Sequence, residues 1–157
     1  MIMENTKETW LYEVAEIQLS YKSDVKSSLR PKISGSRDAY KVLLDTWDQT
    51  KIEFLEQFKV MLLNRANKVL GICEVSTGSS TGTVADPKLI FAAALKANAC
   101  GVILAHTHPS GNLKASQADM DLTKKMKEGG KFLEIQVLDH IIVTGEGYYS
   151  FADEGLM

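Results

Sequence analysis

The chain has 157 residues, 45% of them hydrophobic, and a formal net charge of −2 at pH 7. That is the size of one domain able to bury a core, and the near-balanced charge argues against the strongly basic surface of a dedicated nucleic-acid binder. No stretch approaches the ~20 apolar residues of a membrane span, and residues 1–9 hold charges but no apolar signal segment, so a cytoplasmic protein without membrane contact is expected.

Residues 10–21 alternate enough, with Ile17, Leu19 and Tyr21 in step, to predict one or two strands. Residues 30–36, with Pro31 and Gly35, read as a linker, which divides the chain into an N-terminal arm with strand character over 1–32 and a domain over 33–157. Ser36 is placed to cap a helix in which Tyr40, Leu43, Leu44 and Trp47 fall at helical spacing. Two strands follow at about 54–63 and 67–76, joined by a polar turn at 64–67. The segment 76–83 has two glycines, Gly78 and Gly82, but lacks the lysine and spacing of a phosphate loop, and reads as a flexible loop near the site. Asp86 and Pro87 supply an N-cap and an N1 proline for a helix through Leu95. An apolar strand from Gly101 then leads into His106. A helix opens at Ser116 and is expected to end at Gly129 and Gly130, after which strands at 134–144 and 148–151 flank a turn at 145–147. Cys73 and Cys100 sit in apolar stretches and read as buried free thiols. Strands interleaved with helices predict an α/β domain of three layers, a mixed sheet with helices on its faces.

The chemistry is concentrated in His106-x-His108, followed by Pro109 and Gly111 and then by Ser116-x-x-Asp119. Alternate residues of an extended segment point to one side, so imidazoles at i and i+2 on a strand end converge. Pro109 has no N–H for a ladder and Gly111 admits the dihedrals of a sharp reversal, which lets the chain return with Asp119 on the far side of the turn. Two imidazole nitrogens and one carboxylate oxygen suit Zn²⁺, with Fe²⁺ and Mn²⁺ as competitors. Three protein ligands leave a position open for water, as hydrolytic rather than structural sites do. The same Ser116-x-x-Asp119 also reads as a plain capping box. A zinc-activated water needs a carboxylate to take its proton. Glu56 is the first candidate and Glu53 the second, because alternation gives Glu56 the face of Phe58, Val60 and Leu62. The plainer reading of Glu56 is a strand-end glutamate facing water.

This signature resembles that of the JAMM/MPN metalloprotease-like domains, and its flanks, residues 98–111 and 137–143, are similar to the bacterial RadC-like branch, historically labelled DNA repair proteins. The likeness runs from about Ile33 to the C-terminus. It implies the deaminase-like fold of those domains, with zinc held by His106, His108 and Asp119. It further implies Glu56 as general base and then proton donor to the leaving amine, and Ser116 as a stabiliser of the oxyanion. Longer RadC-like proteins add an N-terminal helix-hairpin-helix region that residues 1–32 do not resemble, so DNA binding attributed to it is not carried over.

The first functional expectation is therefore a zinc-dependent hydrolase acting on an amide, peptide or isopeptide bond. The alternative is a RadC-like DNA-associated or docking module whose metal is structural or vestigial. A nuclease ranks third, since most phosphodiester enzymes place two metals or several cations around the phosphate. Lys124, Lys125, Lys127 and Lys131 read as a solvated helix face. His140 reads as a hydrogen-bonded core or edge residue, with a contact supporting the ligands as the other reading and Asp139 as a candidate outer partner. Thr107 and Ser110 read as turn residues. Neither substrate identity nor oligomeric state has a sequence signature here.

Overall fold

The computed structural model describes residues 13–80 and 82–157. After a short 3-10 turn at Ser27–Leu29 come α1 (Ser36–Thr46), β1 (Gln57–Leu63), β2 (Val69–Thr77), α2 (Pro87–Lys96), β3 (Gly101–Thr107), α3 (Gln117–Leu133), β4 (Gln136–Val143) and β5 (Tyr148–Ser150). The strands form one sheet in the order β2-β1-β3-β4-β5. β1 runs antiparallel to both β2 and β3, β3 is parallel to β4, and β5 returns antiparallel to β4. Parallel neighbours cannot be joined by a tight hairpin, and α3 supplies the crossover between β3 and β4.

Strand alternation sorts the apolar residues into two cores. Met61, Leu63, Ile103, Ala105, Ile141 and Val143 face α1, where Ala39, Leu43 and Trp47 meet them. Phe58, Val60, Leu62, Val102, Leu104 and Val137 face the other way, against Ile90 and Ala94 of α2 and Met126 of α3. Helices thus cover both faces of a mixed sheet, the three-layer α/β architecture that the sequence predicts. The second face is the one that carries the polar cluster described below.

Several local expectations are corrected. Residues 10–12 lie outside the described residues, and residues 13–21 form no strand: Val14, Ile17 and Leu19 stand exposed, so the alternation has no sheet to join. Gly35, not Ser36, occupies the cap of α1, and Ser36 Oγ instead donates to Asp153 Oδ2 at 2.5 Å. β1 begins only at Gln57, because residues 51–54 are taken up in a turn. Cys73 and Cys100 are free but only half-buried.

The largest correction concerns Gly129 and Gly130, which do not end α3. The helix continues to Leu133 and closes at Glu134, whose left-handed backbone (φ 55°) aims its N–H at the carbonyl of Gly130. A Cβ on Gly130 would lie 2.3 Å from the carbonyl oxygen of Ile135, so this helix position needs glycine for close approach. Each glycine lowers helix propensity by roughly 1 kcal/mol relative to alanine. Packing of Gly129 against Phe91 and of Gly130 against the start of β4 outweighs that preference. Among the described residues, no helix is long and apolar enough to cross a membrane.

Candidate metal centre

The C-terminal end of β3 brings His106 to the second core face, opposite Phe58 of β1. The ring of Phe58 lies nearly parallel to that of His106, with centroids 5.8 Å apart, and fixes its plane. His108 follows two residues later on the same side. Gly111, at φ 78°, donates its N–H to the His108 carbonyl at 2.9 Å and turns the chain back, the reversal expected of Pro109 and Gly111. Open α/β sheets commonly offer binding crevices beyond the carboxyl ends of their strands, and this cluster has that placement.

α3 delivers the third group. Ser116 is its N-cap: Ser116 Oγ accepts the N–H of Asp119 at 3.1 Å, and Asp119 Oδ2 accepts the N–H of Ser116 at 2.8 Å. The capping-box reading is thus present in full. It does not compete with the other reading, because Asp119 Oδ1 remains and lies 3.4 Å from His106 Nε2. Burial alone would push the Asp119 carboxyl up. A protonated His106 beside it, the state open to that ring only while no ion is held, and the bonds to Ser116 would pull it below the ordinary carboxylate range. The N-terminal turn of a helix also favours a carboxylate.

His106, His108 and Asp119 offer one ligand atom each, all within 4.8 Å of one another, and they are the one such group among the described residues. His106 Nε2 and His108 Nε2 are 3.0 Å apart. A tetrahedral ion with ligands at about 2.0–2.1 Å requires neighbouring donors roughly 3.4 Å apart; the 3.4 Å separation meets that edge, the 3.0 Å separation is shorter than it, and the remaining pair lies within 4.8 Å. The donor set of two imidazoles and a carboxylate fits a divalent ion in its chemistry.

The outer contacts of the two histidines differ. His108 Nδ1 lies against the carbonyl oxygen of Asn112, which can only accept, so Nδ1 carries the proton and Nε2 keeps its lone pair. His106 Nδ1 instead meets His140 Nε2 at 2.9 Å, and His140 Nδ1 meets Thr123 Oγ1 at 2.7 Å. His140 is fully buried, stacked on Phe151 with centroids 4.7 Å apart. Burial first, then the neighbouring His106, keeps its ring well below the usual imidazole range and therefore neutral.

The remaining candidates fall around this group. Glu56 immediately precedes β1 and is half-buried; its N–H donates to the Ser79 carbonyl and its own carbonyl accepts from the N–H of Gly78, so Gly78 and Ser79 hold its backbone. The pairing of β1 with β3 ends at Phe58 opposite His106, and Glu56 lies two residues before Phe58, just outside the paired strand. Glu53 is exposed and lines a cleft of about 390 Å³ with His108, Ser110, Gly111 and Glu146. Asp139 is not an outer partner of the ligands. It accepts from the N–H groups of His140 and Ala152 and from the Ser150 hydroxyl. Thr107 is a buried strand residue, not a turn residue, while Ser110 Oγ does accept a turn N–H from Asn112. Lys124, Lys125 and Lys131 are exposed, whereas Lys127 is half-buried.

Sequence reasoning did not single out Thr123 or the Asn112 carbonyl. Thr123 stands one helical turn after Asp119, a spacing that would have flagged it as a neighbour on the same face.

The sequence profile of the RadC-like JAB domain matches residues 33–156. A UPF0758 protein of Flavobacterium johnsoniae is 40% identical over 91% of this chain and 62% of its own length. UPF0758 proteins of Thermosynechococcus vestitus and Symbiobacterium thermophilum are 45% and 41% identical, over 62% and 66% of this chain and 39% and 44% of theirs. The chain spans roughly 40–60% of the length of these curated relatives, and their shared name states no activity. The match across nearly all of the described domain has one meaning: this chain belongs to the RadC-like JAB domain family.

Proposed function

We propose that the protein is a zinc-dependent hydrolase that cleaves an amide, peptide or isopeptide bond, with His106, His108 and Asp119 as the metal ligands. The observation that carries this reading is the approach of their three donor atoms to within 4.8 Å of one another at a strand end, with the two imidazole Nε2 atoms 3.0 Å apart. Membership of a family of JAB domains supports it.

When bound, Zn²⁺ would supply a nucleophilic water at neutral pH by lowering its pKa to about 7 and would polarise the substrate carbonyl. The chain's own residues do the rest. Glu56, at the entry to β1 two residues before the Phe58 that packs on His106, takes the proton from the attacking water and returns it to the leaving nitrogen, the task of a general base that becomes a general acid. Ser116 accepts the Asp119 N–H through oxygen and so keeps its hydroxyl proton free to donate to a developing oxyanion. Its exposure at the tip of α3 leaves it accessible to a substrate. The Asn112 carbonyl orients His108, and the Phe58 ring excludes water from one face of His106.

The test is zinc content and hydrolysis of a peptide library by the wild type, His108→Ala and Glu56→Gln. Zinc near one equivalent in wild type, its loss in His108→Ala, and its retention without hydrolysis in Glu56→Gln are expected. Unchanged zinc in His108→Ala, or wild-type turnover in Glu56→Gln, would reject the assignment.

A further inference from the structure

We propose that His140 is a positioning residue of this centre: it accepts the Nδ1–H of His106 and thereby keeps the Nε2 lone pair of that ring turned toward the ion. The inference rests on the metal-ligand reading above and adds a residue from β4 to a group otherwise built from β3 and α3.

The geometry fixes the direction of every hydrogen bond in the chain. Thr123 Oγ1 lies 2.7 Å from the backbone carbonyl of Asp119, one turn earlier in α3. A carbonyl oxygen can only accept, so the single hydroxyl proton of Thr123 goes there and its oxygen is left as an acceptor. The neighbour at 2.7 Å is His140 Nδ1, which must therefore carry the proton of that neutral ring. His140 Nε2 is then an acceptor, 2.9 Å from His106 Nδ1. With its proton on Nδ1, His106 presents an unprotonated Nε2 to His108 and Asp119. The opposite polarity places a proton on His106 Nε2 and is incompatible with ligation.

The two ligand histidines are thus oriented by different means. His108 uses a backbone carbonyl in its own turn, whereas His106 is buried in the sheet and reaches a side chain on the neighbouring parallel strand. The chain of contacts also closes on itself, since it starts at one ligand, His106, and ends on the main chain of another, Asp119. The parallel pairing of Leu104 with His140 and of His106 with Ile142 sets β4 at the height this contact needs. Stacking on Phe151 and the edge of Phe58 would explain a buried aromatic ring at this position, but neither requires a nitrogen aimed at His106.

Substitutions separate the nitrogen from the ring. A glutamine carboxamide reaches the position of the imidazole Nε2 and can accept from His106, whereas asparagine reaches only the Nδ1 position and can serve only Thr123. Zinc affinity is measured by chelator competition on the full chain for the wild type, His140→Gln, His140→Asn and His140→Leu. Glutamine is expected to hold zinc within about threefold of wild type, and asparagine and leucine to weaken it roughly 10–100-fold, the usual effect of removing an outer partner of a metal ligand. The second measurement is ¹⁵N NMR of the zinc-loaded wild type, in which His140 should be protonated at Nδ1 with Nε2 accepting. Asparagine or leucine variants that bind zinc like the wild type, or a His140 ring protonated at Nε2, would overturn the proposal while leaving the metal centre intact. A wild type that binds no zinc would overturn both. The NMR result stands alone if the leucine variant does not fold.

Discussion

The hydroxyl of Thr107 accepts the backbone N–H of Gln57 at 3.0 Å and donates to the carbonyl of Leu55, also at 3.0 Å. One side chain at the end of β3 therefore clamps the chain on both sides of Glu56. Thr107→Val keeps the shape but leaves a buried N–H and a carbonyl without their partner, which should lower stability by about 2–4 kcal/mol. Urea unfolding checks this. Hydrolysis should fall further than zinc content, because the clamp positions Glu56 and not the ligands, and Thr107→Ser should restore both.

Glu56 and Glu53 differ in placement, and their substitutions should differ accordingly. Glu56→Gln is expected to reduce the hydrolytic rate by roughly 10²–10⁴-fold, the range of a general base. Glu53→Gln, in an exposed turn beside the His108 cleft, should alter substrate affinity and leave the rate at saturation within a few-fold of wild type. Steady-state kinetics on a cleaved peptide distinguish them. A loss in the rate at saturation larger in Glu53→Gln than in Glu56→Gln would make Glu53 the base.

The C-terminal end of α3 gives a prediction of opposite signs. Gly130→Ala places a Cβ against the Ile135 carbonyl at 2.3 Å and should destabilise the protein severely or prevent folding. Glu134→Gly relieves a left-handed residue at φ 55° and should stabilise by about 0.5–1 kcal/mol. Thermal melts of the two variants should move in opposite directions.

The Asp139 carboxyl is raised above its ordinary 3.8, mainly by burial. Below 3.8 the folded and unfolded chains both hold this proton. Above it the unfolded chain releases the proton first, so stability should fall as pH rises until the folded carboxyl ionises as well. Asp139→Asn removes the titration. The stability of the wild type relative to this variant should therefore decline with increasing pH from about 3.8 upward, as read from urea midpoints across the acid range. A difference that grows with pH would reject burial as the dominant cause.

The cluster of His106, His108 and Asp119 was legible because it is local: the three lie within one strand, one turn and one helix start, each of which has its own sequence signal. The layers were legible for the same reason, since the apolar faces of β1 and α1 follow simple periods. Of the outer contacts of that cluster, His140 was offered only as a second reading, and Thr123 and the Asn112 carbonyl were not offered at all. Contact between His140 and His106 depends on the register of two parallel strands joined by a helix, and nothing in either strand encodes that height. Gly129 and Gly130 misled because the helix signal weighs glycine by its freedom alone, while the fold uses it to admit Ile135 and Phe91. The alternation at residues 13–21 is real, but a strand exists only where a neighbour accepts its hydrogen bonds.

The two carboxylate oxygens of Asp119 have separate employers, one serving the start of α3 and the other facing the imidazoles. Were the second oxygen to ligate an ion, winding of that first turn and completion of the ion's coordination sphere would be a single event. Loading the centre should slow amide exchange at Ser116 and Asp119, and fraying of the helix tip should release the ion. A glutamate at this position could still cap the helix, but its added methylene would shift the oxygen that faces the imidazoles.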